Sequence, residues 1–264
     1  MRRAVLQSVR IRIVVWVLVM TVARIASARP THVRVRTDHG AVHVWSPAHY
    51  DRDTAGVVVY VHGYFTDVDR AWRRHRLAKQ FAESGINALF IACEAPDGPD
   101  ERVRWTSIGA LLETVAEAVA DGLPEGRIVA VAHSGAHRTL SMWLDEDYLD
   151  TIVLVDALYG EMPVFRAWLD DDPARRLIDA AALTRRWSDE LHAALPDTLV
   201  FEEFPPPEAG KLRGARGARI VYVRSQHDHM GLVTDGVALP MLLRAVQLPV
   251  VANASRKAPI RALR

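Results

Sequence analysis

Arg127-Ile128-Val129-Ala130-Val131-Ala132-His133-Ser134-Gly135-Ala136 is the stretch on which the reading of this chain turns. The apolar run 128–131 predicts a buried strand, and the residues after it read small-x-Ser-x-small. A helical pattern over 136–144 follows. A serine on a sharp strand-to-helix turn needs small flanking residues, because bulk would push strand and helix apart. Alanines 132 and 136 stand where glycine is usual in such a nucleophile elbow.

Other strand-like runs lie on either side. Val57–Val61 ends at His62-Gly63-Tyr64, Ile86–Ala92 follows a helical stretch over 71–83, and Thr151–Val155 ends at Asp156. Arg219–Val223 precedes His227-Asp228-His229. Helical patterns over 108–120 and 238–246 separate or follow these runs, and 163–195 reads as helical and charged. An alternating segment over 32–44 around Asp38-His39-Gly40 predicts a hairpin. Strands alternating with helices predict an α/β protein with a mostly parallel sheet, helices on both faces and reactive groups at the strand C-termini.

Composition limits the function. The chain has 264 residues and a net charge of +1, so no overall field points to nucleic acid. The single cysteine, Cys93, excludes an internal disulfide and a cysteine-based zinc site. The N-terminus carries Arg2, Arg3, Arg10 and Arg12, an apolar run over 13–22 and Ala26-Ser27-Ala28. That order predicts a signal peptide over 1–28, a mature start at Arg29, and a secreted or periplasmic location. The apolar run falls short of the roughly 20 residues that span a bilayer, so no stable span is expected after signal removal. The domain is expected over 29–252 and a basic tail over 253–264.

With V-Y-V-H-G-Y at 59–64, A-H-S-G-A at 132–136, L-V-D-A at 154–157 and H-D-H at 227–229, the chain resembles the α/β-hydrolase family, serine esterase- and lipase-like, over residues 55–248. The resemblance implies a Ser-acid-His triad in that chain order, an oxyanion hole near the His-Gly loop, and no cofactor. Ser134 is then the nucleophile. No histidine follows His229, which removes Asp228 as the acid and leaves Asp156, at a strand end. Many family members carry the acid one strand later. For the base, His229 is favoured and His227 stays open. The oxyanion donors are the amides of Tyr64 and Gly135, with Phe65 and Ala136 competing. His62 and His133 are expected to be packed supports, with His133 pointing away from the site.

Residues 161–207 resemble a small helical cap over the pocket, with Trp168, Leu169, Leu177, Leu183 and Trp187 able to face it. Arg175-Arg176 and Arg185-Arg186 read as charges on a solvated helix face. The expected activity is hydrolysis of an ester or amide in a small-molecule, lipid or sugar substrate. Two other classes compete. His227 and His229 with Asp67 and Asp69 could hold zinc or manganese, although no His-Glu-x-x-His spacing is present. A non-catalytic binding protein could also use the same scaffold.

Overall fold

A computed structural model of the protein describes residues 29–252. The expected signal peptide (1–28) and basic tail (253–264) lie outside the described residues. The elements in chain order are β1 (Thr31–Thr37), β2 (Gly40–Ser46), β3 (Gly56–Val61), α1 (Val68–Arg74), α2 (Leu77–Ser84), β4 (Ala88–Cys93), α3 (Ile108–Ala118), β5 (Ile128–His133), α4 (His137–Trp143) and β6 (Thr151–Val155). Then come α5 (Met162–Asp171), β7 (Arg176–Ala181), α6 (Arg185–Ala193), β8 (Leu199–Phe201), β9 (Ile220–Arg224), α7 (Gly231–Thr234) and α8 (Ala238–Ala245).

One nine-stranded sheet runs in the order β1-β2-β4-β3-β5-β6-β7-β9-β8. β1, β2 and β4 pair antiparallel, and every pair from β4–β3 to β9–β8 is parallel. Parallel strands buried on both faces read as continuous apolar runs, as β3 does with Val57-Val58-Val59-Tyr60-Val61. Alternation sends Val58, Tyr60, Val129 and Val131 to one face, with Phe81 and Leu239 of α2 and α8. Val57, Val59, Ala130 and Ala132 go to the other, with Leu111 of α3 and Leu140 of α4. The core is therefore two layers of side chains with the sheet between them. Among the described residues, no helix is long and apolar enough to cross a membrane.

The helical segment expected over 71–83 is broken in two. His75 and Arg76 separate α1 from α2, and Arg76 sits at φ +49°. The break lets His75 turn inward, where its Nδ1 lies 3.0 Å from the Tyr60 hydroxyl.

The cap expected over 161–207 is corrected. Its middle is β7, a strand buried along its whole length between β6 and β9. Trp168, Leu169 and Leu177 belong to the core; Trp187 packs half-buried against that core with its ring 5.6 Å from Tyr159, and Leu183 is exposed. Arg176 is not a solvated charge either. It is 3 % exposed and donates to the carbonyls of Ala215, Ala218 and Ala245. Asp179, also in β7, is buried against His192 Nε2 at 3.2 Å. These paired charges make the segment look helical and exposed in sequence, yet they are compatible with burial because partners from distant elements reach them.

Candidate active site

Chain order reverses between β3 and β5, which are neighbours in the sheet with β4 on one side and β6 on the other. At such a switch point the loops after the two strands diverge and leave a crevice. His62-Gly63-Tyr64 leaves β3 there, and Ser134 leaves β5. The crevice is a cavity of about 540 Å³ whose walls include Gly63, Tyr64, Phe65, His133, Ser134, Gly135, Tyr159 and His229.

Ser134 has φ +54°, the left-handed region that a residue with a Cβ seldom adopts. A single turn of 3₁₀ helix over Ser134–Ala136 then leads into α4. The strain lifts the hydroxyl off the end of the strand. Ala132 and Ala136 are fully buried, so alanine fits where glycine is usual. The glycine requirement falls elsewhere. A Cβ on Gly63 would lie 2.7 Å from Ser134 Cβ, and one on Gly135 would lie 2.5 Å from the Tyr64 ring. Tyr64 is itself tethered, its hydroxyl accepting from Arg138 at 3.4 Å while the same guanidinium holds the Pro99 and Glu101 carbonyls.

Asp156 follows β6 and is fully buried, also at positive φ (+50°). Its Oδ1 accepts from the amides of Ala182 (2.9 Å) and Thr184 (2.8 Å) and from the Thr184 hydroxyl (2.8 Å). Its Oδ2 accepts from the Leu183 amide (3.0 Å) and lies 2.6 Å from His229 Nδ1. Burial opposes ionisation of this carboxyl, but the His229 hydrogen bond and the three amides outweigh it and hold the pKa well below the usual range. An ionised Asp156 can only accept, so His229 carries its proton on Nδ1 and keeps the Nε2 lone pair.

The structure brings Ser134, His229 and Asp156 to one crevice and sends the alternatives elsewhere. His227 Nδ1 faces Asp235 Oδ2 at 3.1 Å, and its ring packs edge-on against Phe204. Asp228 accepts from the Gly231 amide at 2.6 Å, at the start of α7. The set His227, His229, Asp67 and Asp69 is not gathered, which corrects the metal arrangement. Asp67 accepts from the Arg70 amide as the N-cap of α1, and Asp69 pairs with Arg34 and His43. Among the described residues, no group of three or more His, Cys, Asp or Glu is placed to hold a metal ion.

Of the competing oxyanion donors, Phe65 is spoken for, because its amide donates to the Asp97 carbonyl at 2.7 Å. The Tyr64 amide makes no hydrogen bond with another described residue. His62 braces this loop, with Nδ1 2.7 Å from the Gly63 carbonyl and Nε2 2.8 Å from Glu94.

His133 differs from its expected orientation. Its buried ring does not point away but lies against the His229 ring, centroids 4.8 Å apart, and its Nε2 approaches the His229 carbonyl at 3.4 Å. Burial, then the nearby His229, pushes the His133 pKa down to about 3, so the ring stays neutral. His75 stands edge-on to His133 at 5.9 Å, and burial lowers its pKa to about 4.

Tyr159 is the residue that motif reading misses. It lines the cavity together with Ser134, and its ring lies between His137 (5.2 Å) and Trp187 (5.6 Å). Burial raises its pKa, which keeps the hydroxyl protonated. The only cue in the sequence is its place three residues after Asp156, in the loop leaving a strand end.

The sequence matches no protein-family model and no curated protein. The fold does have relatives among solved structures. It is similar to a serine-to-alanine mutant of the feruloyl esterase module of Clostridium thermocellum complexed with sinapinate: TM-score 0.53, 11% identity, covering 81% of this chain and 88% of that one. It is also similar to FphF, a fluorophosphonate-binding serine hydrolase of Staphylococcus aureus, with TM-score 0.51 and 11% identity over 82% and 99% of the two chains. A ferulic acid esterase aligns with TM-score 0.52 and 9% identity over 83% and 98%. The strand order, the strained serine at the switch point and these relatives agree: the chain has the α/β-hydrolase fold, with a mostly parallel sheet and helices on both faces.

Proposed function

We propose that this protein is a serine hydrolase of carboxylic esters that works through an acyl-enzyme on Ser134. The observation that carries the reading is the 2.6 Å contact between His229 Nδ1 and Asp156, at a cavity that Ser134 lines from a strained turn. Ser134 Oγ attacks the ester carbonyl carbon while His229 Nε2 takes its proton. Asp156 fixes the tautomer and stabilises the imidazolium. The carbonyl oxygen becomes an oxyanion facing the amides of Tyr64 and Gly135. The C–O bond then breaks, and His229 returns the proton to the departing alcohol. Water repeats the sequence to release the acid and regenerate Ser134. The Tyr159 phenol, held protonated, donates a further hydrogen bond at the reacting oxygens.

The walls around Ser134 carry Tyr64, Phe65, Tyr159 and Met230, and favour an apolar or aromatic acyl group. That preference accords with the feruloyl and ferulic acid esterases among the structural relatives. The reading includes export. N-terminal sequencing of the exported protein should start at Arg29-Pro30, whereas a product that keeps Met1 and fractionates with membrane would reject it.

Labelling with a fluorophosphonate followed by peptide mapping tests the mechanism. Modification of Ser134 is expected, and Ser134→Ala should lose at least about a thousandfold in turnover. A label elsewhere, or full activity in the alanine variant, refutes it. Activity lost only on chelation would instead favour a metal-dependent hydrolase.

A further inference from the structure

We propose that the rim of the Ser134 cavity is a docking surface for an anionic lipid bilayer. Two large apolar side chains of the cavity walls stand out, Phe65 at 81 % exposed and Met230 at 46 %, and a third, Leu183 at 67 %, stands on the loop whose amides hold Asp156. Backbone bonds hold all three loops. Phe65 sits at φ +62° with its amide on the Asp97 carbonyl. The Leu183 amide is on Asp156, and the Met230 carbonyl accepts from Val233 and Thr234. A left-handed phenylalanine with most of its ring in water meets little beyond the edge of the Tyr64 ring, and exposed apolar side chains around one cavity mark an interaction surface.

The charges beside it select the partner. Arg74 lines the cavity, and Arg76 reaches the carbonyl of Thr234, another wall residue. Arg186 lies over the Trp187 ring at 3.8 Å, and Trp187 in turn touches Tyr159. Among the described residues, neither Arg74 nor Arg186 forms an ion pair with a carboxylate. Of the nearby acids, Asp67 pairs with Arg70 and Asp235 with His227, while Asp228 accepts from the Gly231 amide and Glu161 from the Ser141 hydroxyl. Apolar side chains beside guanidinium groups that form no carboxylate ion pair match a surface of acyl chains beneath anionic headgroups. A protein seated on this rim would close the route to Ser134. A bilayer leaves it open and presents an acyl chain to walls continuous with the rim. That last point rests on the hydrolase reading; the docking itself does not.

Cosedimentation of the exported protein, beginning at Arg29, with vesicles tests it, in a Ser134→Ala background so that the lipids stay intact. Vesicles of phosphatidylcholine mixed with phosphatidylglycerol should carry the protein down, phosphatidylcholine alone should carry far less, and salt should release it. Arg186→Ala should weaken binding about fivefold, the factor for one cation near such a surface. Phe65→Ser and Leu183→Ser should weaken it further. With Ser134 restored, Arg186→Ala should hydrolyse a short soluble ester at the wild-type rate. No cosedimentation with either vesicle, or equal cosedimentation of all variants, overturns the proposal. A dimer in sedimentation velocity that Leu183→Ser dissociates also overturns it, by naming a second copy as the occupant. Vesicle binding that fails while fluorophosphonate still labels Ser134 removes the docking alone; binding that persists without labelling removes the hydrolase reading alone.

Discussion

Asp156→Asn replaces one atom and reverses the hydrogen-bond logic of the site. The Oδ1 position accepts three donors and the Oδ2 position accepts two, the Leu183 amide and His229. An asparagine keeps its oxygen where three donors converge, which turns its NH2 group toward the Leu183 amide and His229. Donor then meets donor at both contacts. His229 escapes by moving its proton to Nε2, so that Nδ1 accepts, and it can no longer take a proton from Ser134. The wrong tautomer should lower kcat by about 10³ to 10⁴, or roughly 4–5.5 kcal/mol of transition-state stabilisation. The unmatched Leu183 amide should cost about 1–3 kcal/mol of stability. Stopped-flow acylation with a chromogenic ester, alongside thermal unfolding, separates the two effects. The depressed pKa adds a signature, since an ionised Asp156 stabilises the fold above about pH 4 and that contribution fades as pH falls below it. The asparagine variant should lack this part of the acid dependence. A variant that stays folded and keeps more than about a tenth of wild-type kcat would refute the assignment of Asp156 as the orienting acid.

Gly135→Ala places a Cβ 2.5–2.6 Å from three atoms of the Tyr64 ring, which Arg138 restrains; displacing Tyr64 and its amide should cost about 100-fold in kcat, and single-turnover rates near wild type would show that the amide is not used. His229→Ala should abolish acylation while His227→Ala, which removes a partner of Asp235 and of the Phe204 ring, keeps most of it; a normal acylation burst in the His229 variant would reverse the assignment. Stability should decline as pH drops below the ordinary histidine value near 6.5, because the unfolded chain binds protons that buried His75 and His133 refuse until about pH 4 and pH 3. Melting temperature against pH checks this, and His75→Gln should flatten the slope.

The local signals in the sequence were those with a short physical range. Continuous apolar runs marked β3, β5, β6 and β9, because a strand buried on both faces has no polar alternation to hide it. A serine between small residues after such a run marked the strained turn, and the strand ends marked His62, Asp156 and His229. β7 could not be read this way. Arg176-Leu177-Ile178-Asp179-Ala180-Ala181 carries two charges and two alanines, and it enters the sheet only because carbonyls from 215–218 and 245 solvate Arg176 and His192 meets Asp179. Those partners lie 13 to 69 residues away, beyond any local pattern. The histidine pair was undecided for a related reason. His227 and His229 follow the same strand with the same chemistry, and only the packing that seats one ring on His133 and Asp156 and the other on Phe204 and Asp235 distinguishes them. Sequence therefore determined the α/β class, the buried runs of β3, β5, β6 and β9 and the residue types after them, since each rests on neighbours a few positions apart. Tertiary structure decided which charges could be buried and which side chains met, because those depend on partners that only the completed fold brings into reach.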